Sequence, residues 1–225
     1  YIEQSGNPSG TPVLFLHGGP GAGTSSIYRR FFDPSKYRII LFDQRGSGKS
    51  IPYGSINHNT SQKLIGDIKS ILDFLDIKKT IIYGGSWGST LALLFSQKYP
   101  SYLYSLVLRG VFLCRKSDII WFYQNGAHEV FPDYWSEFIE LIPIDERSNI
   151  LLAYYKRIHG DDDELSRELC KRWAIWEGRC STLHPSNEVI NQFDECAVSL
   201  SKIETHFFQN DCFIEENQII KKPFG

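Results

Sequence analysis

Apolar residues in the first half of the chain fall in short, β-branched runs, each ending in a cluster of turn formers. Val13–Leu16 runs into Gly18–Gly23, Arg38–Phe42 into Asp43–Ser50, and Thr80–Tyr83 into Gly84-Gly85; Leu103–Leu108 is a fourth such run. Runs of this length bounded by glycine predict buried strands. Between them the spacing changes. Leu64, Ile65, Ile68, Ile71, Leu72 and Leu75 recur at intervals of three and four, which predicts an amphipathic helix over Ser61–Leu75. A second helix is predicted over Thr90–Gln97, stopped before Pro100. Strands alternating with helices imply a mostly parallel sheet with crossover helices, an α/β fold.

Beyond Val111 the texture turns aromatic and charged, with helical spacing over Asn149–Arg157, Glu164–Trp176 and Val198–Phe208. Asp161-Asp162-Asp163 sits between two of these segments as a solvated turn with an N-cap. The expected organisation is an α/β core over residues 1–112, a helical cap over 113–220, and the start of a further core portion over 221–225.

The composition allows a real core: 225 residues, 42% hydrophobic, 14% aromatic and 22% charged. A net charge of −2 leaves no electrostatic footprint for nucleic acid or an anionic membrane. Apolar runs such as Ile39–Phe42 are far too short to span a bilayer. Cys114, Cys170, Cys180, Cys196 and Cys212 are odd in number and scattered, with no C-x-x-C pair, which argues against a disulfide framework or a zinc site. Thiol usage of this kind points to a reducing, cytoplasmic compartment.

The chemistry concentrates at Gly84-Gly85-Ser86-Trp87-Gly88, a G-x-S-x-G pattern with a short strand before it and a helix after it. In a turn this tight, side chains two residues either side of the serine would collide, so glycines stand there. The serine is pushed out at the carboxyl end of the sheet, in a strained conformation, above a helix N-terminus that favours developing negative charge. His17-Gly18-Gly19-Pro20-Gly21, after the strand Val13–Leu16, is the second part of such a site. The oxyanion hole would take the backbone N–H groups of Trp87 and Gly19. His17 is expected to hold that loop rather than to serve as the base. A sharp loop is also where a cis bond before Pro20 would be used. Asp43–Ser50 resembles a phosphate loop, but G-x-x-x-x-G-K-[ST] needs glycine where Asp43 stands, so it is read as a structural turn.

Together His17–Gly21, Asp43–Ser50, Gly84–Leu93 and Leu106–Phe112 resemble the proline iminopeptidases, α/β-hydrolases with a helical cap. The resemblance continues through Trp121–Gln124, Phe131–Asp133, Trp173–Gly178 and Lys202–Phe208. It implies release of an N-terminal proline from peptides by Ser86 through a prolyl-enzyme, without metal or organic cofactor. It also implies that Glu177 and Glu204 hold the substrate's imino cation, that Phe112, Phe122 and Phe208 line the pyrrolidine pocket, and that Arg109 orients one of the glutamates. Paired carboxylates in a partly desolvated pocket suit that task, because a peptide lacking the cation would leave both unpaired.

A serine hydrolase of this type needs an acid and then a histidine after the nucleophile. The later histidines, His128, His159, His184 and His206, all lie in the cap-like region, and none stands where the base is expected. The resemblance places base and acid on strands beyond residue 225. The chain begins at Tyr1 and has no methionine, so a piece of a longer enzyme, with an open sheet edge, is expected. Two alternatives stay open: another serine hydrolase, such as an esterase or broad aminopeptidase, and a non-catalytic binding protein.

Overall fold

The computed structural model describes residues 1–184 and 186–222. Positions 223–225 of the short terminal stretch lie outside the described residues. Five strands form the sheet: β1 (Ile2–Gly6), β2 (Thr11–Leu16), β3 (Tyr37–Phe42), β4 (Thr80–Gly85) and β5 (Leu103–Arg109), in the order β1-β3-β2-β4-β5. β1 runs antiparallel to β3; the other pairings are parallel. The apolar runs of β2 and β3 are buried on both faces because they lie inside the sheet. β1 alternates exposed and half-covered residues, and so carries no apolar run.

Helix α1 (Ser61–Phe74) and helix α2 (Trp87–Lys98) pack on the sheet. α1 starts where the Thr60 hydroxyl accepts from the Lys63 amide and turns Leu64, Ile65, Ile68 and Leu72 inward. α2 begins directly after Ser86, three residues earlier than the spacing predicts, since Trp87, Gly88 and Ser89 have no periodic apolar signal of their own. The opposite face of the sheet, Val13, Phe15, Ile39 and Leu41, is closed by Tyr28 and Phe32 from the β2–β3 connection. β5 pairs only with β4 among the described residues, and leaves Tyr104 and Val107 exposed on the sheet edge.

After β5 every described element is helical: α3 (Lys116–Tyr123), α4 (Ala127–Val130), α5 (Pro132–Ile139), α6 (Ile150–Ile158), α7 (Asp163–Cys180), α8 (Asn187–Glu195), α9 (Ala197–Gln209) and α10 (Gln218–Lys221). Asp162 caps α7 by accepting from the Glu164 and Leu165 amides. The long helices match the apolar spacing, while α8 was not legible because none of its residues is fully buried. Phe138, Tyr154, Trp173, Trp176 and Phe207 fill the helical layer, continuous with the core under the sheet.

Candidate active site

Ser86 sits at φ 52°, ψ −123°, between the end of β4 and the start of α2, and its side chain is exposed. Non-glycine residues rarely take this conformation, so the surrounding structure must impose it. The constraint is visible at the flanking glycines. A Cβ on Gly88 would strike the Leu16 carbonyl, and one on Gly84 would strike the Gly88 carbonyl. The Ser86 amide donates to the Arg109 carbonyl at 3.0 Å, and its carbonyl accepts from Ser89 Oγ at 2.6 Å. Among the described residues neither the Trp87 nor the Gly19 amide has a hydrogen-bond partner. Both therefore remain available to an oxyanion beside Ser86.

The glycine loop stands against this turn: a Cβ on Gly18 would lie 3.5 Å from Ser86 Cβ. Its Gly19–Pro20 bond is cis. One side chain that sequence reasoning passed over joins the two halves. Gln44 Nε2 donates to the His17 carbonyl at 3.0 Å, while its Oε1 accepts from Trp87 Nε1 at 2.9 Å. His17 is buried and occupied, its Nε2 accepting from the Gln44 amide at 3.0 Å and its Nδ1 lying 2.9 Å from the Gly18 carbonyl. Burial lowers its pKa, so it holds the loop as a neutral ring. Asp43 is likewise structural: its carboxylate accepts from Thr24 N, Thr24 Oγ1 and Lys49 N at 2.6, 2.7 and 2.8 Å.

Helix α9 lies over both parts. Leu200 packs on Gly19, Ser199 Oγ donates to the Gly21 carbonyl at 2.8 Å, and Phe207 meets Trp87 edge-on at 4.9 Å. One turn beyond Leu200, on the same face, stands Glu204, only 1% exposed. Its Oε2 accepts from Trp173 Nε1 of α7 at 2.6 Å. Glu177, one turn further along α7, accepts from the Tyr123 hydroxyl of α3 through Oε1. Burial, and then the charge of Glu177, pushes the Glu204 carboxyl well up from its ordinary range. Burial pushes Glu177 up to about 7 against the opposing Tyr123 hydrogen bond. Neither carboxylate has a Lys, Arg or His partner among the described residues. Two carboxylates, one buried and one half-buried, with no cationic partner among the described residues are suited to a cation.

Phe122 and Phe208 flank Tyr123, and Phe112 meets Phe208. Phe208 lies 6.0 Å from Phe112 and 5.6 Å from Tyr123, and Phe122 lies 4.9 Å from Tyr123. Phe112 is tied to the nucleophile helix, its amide donating to Ser89 Oγ at 3.0 Å and its carbonyl accepting from Thr90 Oγ1 at 2.6 Å. Arg109 is exposed at the end of β5, and among the described residues it makes no hydrogen bond or ion pair with either glutamate. Tyr123, Trp173 and Gln44 are the site residues that sequence reasoning did not single out. Only a buried polar partner reveals them, and apolar spacing carries no sign of that.

No histidine among the described residues bonds the Ser86 hydroxyl. His159 meets Thr205, His206 meets the Asn59 carbonyl, and His128 accepts from the Gly126 amide. The described residues contain no group of three His, Cys, Asp or Glu able to hold a metal ion, and no helix long and apolar enough to cross a membrane.

A strand–nucleophile–helix turn beside a glycine loop, on a mostly parallel sheet, defines a serine-type α/β-hydrolase architecture, and the α/β-hydrolase fold family profile matches residues 11–144. The same architecture recurs in an esterase from Exiguobacterium antarcticum, with TM-score 0.63 and 22% identity over 97% of this chain and 70% of that one. An N-acyl homoserine lactonase superposes with TM-score 0.61 at 15% identity, over 99% of this chain and 70% of that one. Closer similarity is to a probable proline iminopeptidase of Leptolyngbya boryana, 47% identical over 98% of this chain and 70% of the relative. The proline iminopeptidase of Arabidopsis thaliana is 48% identical over 95% of this chain and 57% of its own length, and that of Xylella fastidiosa 43% over 98% and 72%. The chain belongs to the proline iminopeptidase family of α/β-hydrolases.

Proposed function

We propose that this protein is a serine exopeptidase that releases N-terminal proline from peptides through a prolyl-enzyme. The observation that carries the reading is the pairing of two features along α9: an exposed Ser86 beside two amides without a partner among the described residues, and a carboxylate couple on α7 and α9, Glu204 buried and Glu177 half-buried, with no Lys, Arg or His partner among the described residues. In this reading the imino cation sits between Glu177 and Glu204, and the pyrrolidine ring lies against Phe112, Phe122 and Phe208. The helices of residues 113–220 act as a cap that makes this pocket. Ser86 Oγ attacks the prolyl carbonyl carbon as its proton passes to a base. The Gly19 and Trp87 amides stabilise the oxyanion. The C–N bond then breaks, the shortened peptide leaves as an amine carrying that proton, and water hydrolyses the ester to free proline and Ser86. None of the described histidines is assigned as the base. The free thiols of Cys114, Cys170, Cys180, Cys196 and Cys212 fit a cytoplasmic location.

The test is release of naphthylamine from prolyl-naphthylamide, compared with alanyl-naphthylamide and a simple ester, with Ser86→Ala as control. Prolyl turnover that dominates and vanishes in Ser86→Ala is expected. Equal or faster ester cleavage, or activity retained in Ser86→Ala, overturns the reading.

A further inference from the structure

The two amides offered to the oxyanion belong to different segments of chain. Gly19 lies in the loop after β2, and Trp87 follows β4. The residue that ties these segments together comes from neither. Gln44 follows β3, and the sheet order β3-β2-β4 means that its side chain reaches over the carboxyl end of β2 to the nucleophile turn. There it holds the His17 carbonyl through Nε2 at 3.0 Å and the Trp87 indole N–H through Oε1 at 2.9 Å. Only this orientation of the amide works. Turned over, it would set oxygen against the carbonyl and nitrogen against the indole N–H, acceptor to acceptor and donor to donor. Its backbone amide adds a third bond, to His17 Nε2 at 3.0 Å. Gln44, His17 and Trp87 are all buried, so water cannot replace any of the three.

The far end of the glycine loop is held by the neighbouring residue, since Asp43 accepts from Thr24 N and Thr24 Oγ1. Gln44 therefore governs the near end, one residue before Gly18 and two before Gly19. We infer that Gln44 is a positioning residue for the acyl-transfer step, whose side-chain amide fixes the spacing between the Gly19 and Trp87 amides and so fits them to the tetrahedral oxyanion. This rests on the acyl transfer proposed above and is independent of the choice of substrate. Loss of one oxyanion donor costs roughly 10²–10³ in rate, so a donor pair left in place with relaxed spacing should cost roughly 10–100-fold.

The test is Gln44→Met, which keeps the length of the side chain and removes both polar ends. Rates are referred to the folded fraction read by circular dichroism. With prolyl-naphthylamide, kcat should fall roughly 10–100-fold while KM and the calorimetric affinity for L-prolinamide stay within about threefold. Inhibition by the boronic acid analogue of proline, which becomes tetrahedral when Ser86 Oγ bonds to boron, should weaken by the same factor as kcat/KM. A merely structural role would lower the folded fraction and leave kcat per folded molecule, and the boronate's advantage over L-prolinamide, unmoved; that result overturns the inference. So does an equal loss of L-prolinamide binding. Should Gln44→Met not fold, Trp87→Phe removes the indole end of the bridge alone and leaves the backbone donor; a fall in kcat of about fivefold or more is expected, and an unchanged kcat overturns the inference. If the wild type cleaves p-nitrophenyl acetate but not prolyl-naphthylamide, the proposed function fails, and Gln44 is judged by the same loss of kcat on the ester. Cleavage of neither would sink both.

Discussion

Replacing Glu177 by glutamine should stabilise the protein while removing its ligand. The carboxyl is pushed by burial from an ordinary 4.5 to about 7. At about 1.4 kcal/mol per pH unit, keeping it ionised in the folded protein costs about 3 kcal/mol more than in the unfolded chain, and about 2 kcal/mol once the partly exposed part of the residue is discounted. The sign follows from proton counting. The folded state holds this proton where the unfolded state has lost it, so native stability falls as pH rises from about 4.5 to about 7, and the cost is fully present above that range. Glutamine keeps an oxygen to accept from Tyr123 and cannot ionise. Urea denaturation of Glu177→Gln should therefore show a gain of about 2 kcal/mol at pH 8, shrinking toward zero at pH 4.5, while prolinamide binding is lost. A loss of stability at pH 8, or a gain that does not depend on pH, refutes the claim that this carboxylate is held ionised at a cost.

Four further outcomes follow from the same geometry. Prolinamide affinity should rise between pH 6 and pH 8, because Glu177 and Glu204 are both raised and must shed protons to accept a cation; calorimetry across that range checks it, and a flat profile contradicts it. Gln44→Ala should cost about 2–4 kcal/mol in urea denaturation, since it strands the Trp87 indole N–H and the His17 carbonyl together. Gly88→Ala should cost about 3 kcal/mol or more, or fail to fold, as its new Cβ meets the Leu16 carbonyl; near-wild-type stability would refute the packing described at the turn. Ser86→Gly should abolish prolyl-naphthylamide turnover yet raise stability by about 1 kcal/mol, because glycine relieves the φ of 52°.

The strands and the nucleophile turn were legible in the sequence because their causes are local. Val13–Leu16 and Ile39–Phe42 are apolar because both faces are covered, and Gly84 and Gly88 are glycines because carbonyls occupy the space a Cβ would need. β1 and α8 carry only partial burial and so leave a faint pattern. The glutamates are another matter. On spacing alone Glu177 and Glu204 look like ordinary helix-surface carboxylates, and resemblance to a family singled them out. What makes them special is Trp173 four residues before Glu177 and Tyr123 on a separate helix, and a pairing 54 residues apart has no local signature.

In the proposed function, recognition and reaction would be held in register by a single helix, α9. Leu200 of α9 rests on Gly19 at the oxyanion loop, and Glu204 is one turn along, about 6 Å at 1.5 Å per residue. In a substrate whose first residue is cleaved off, the amine and the scissile carbonyl carbon are separated by one Cα, roughly 2.5 Å, with a hydrogen bond of about 3 Å reaching out at either end. Each additional residue before the scissile bond would add about 3.5 Å, close to two-thirds of a helical turn, and no rotamer of Glu204 can recover that while its Oε2 stays on Trp173. On the proposed function, cleavage after one residue and not two would be set by the Leu200-to-Glu204 spacing. Alanyl-prolyl-naphthylamide should accordingly release no naphthylamine, because its amine lies one residue beyond the reach of the carboxylate couple. Direct release of the intact dipeptide Ala-Pro would show that the helix does not set the length.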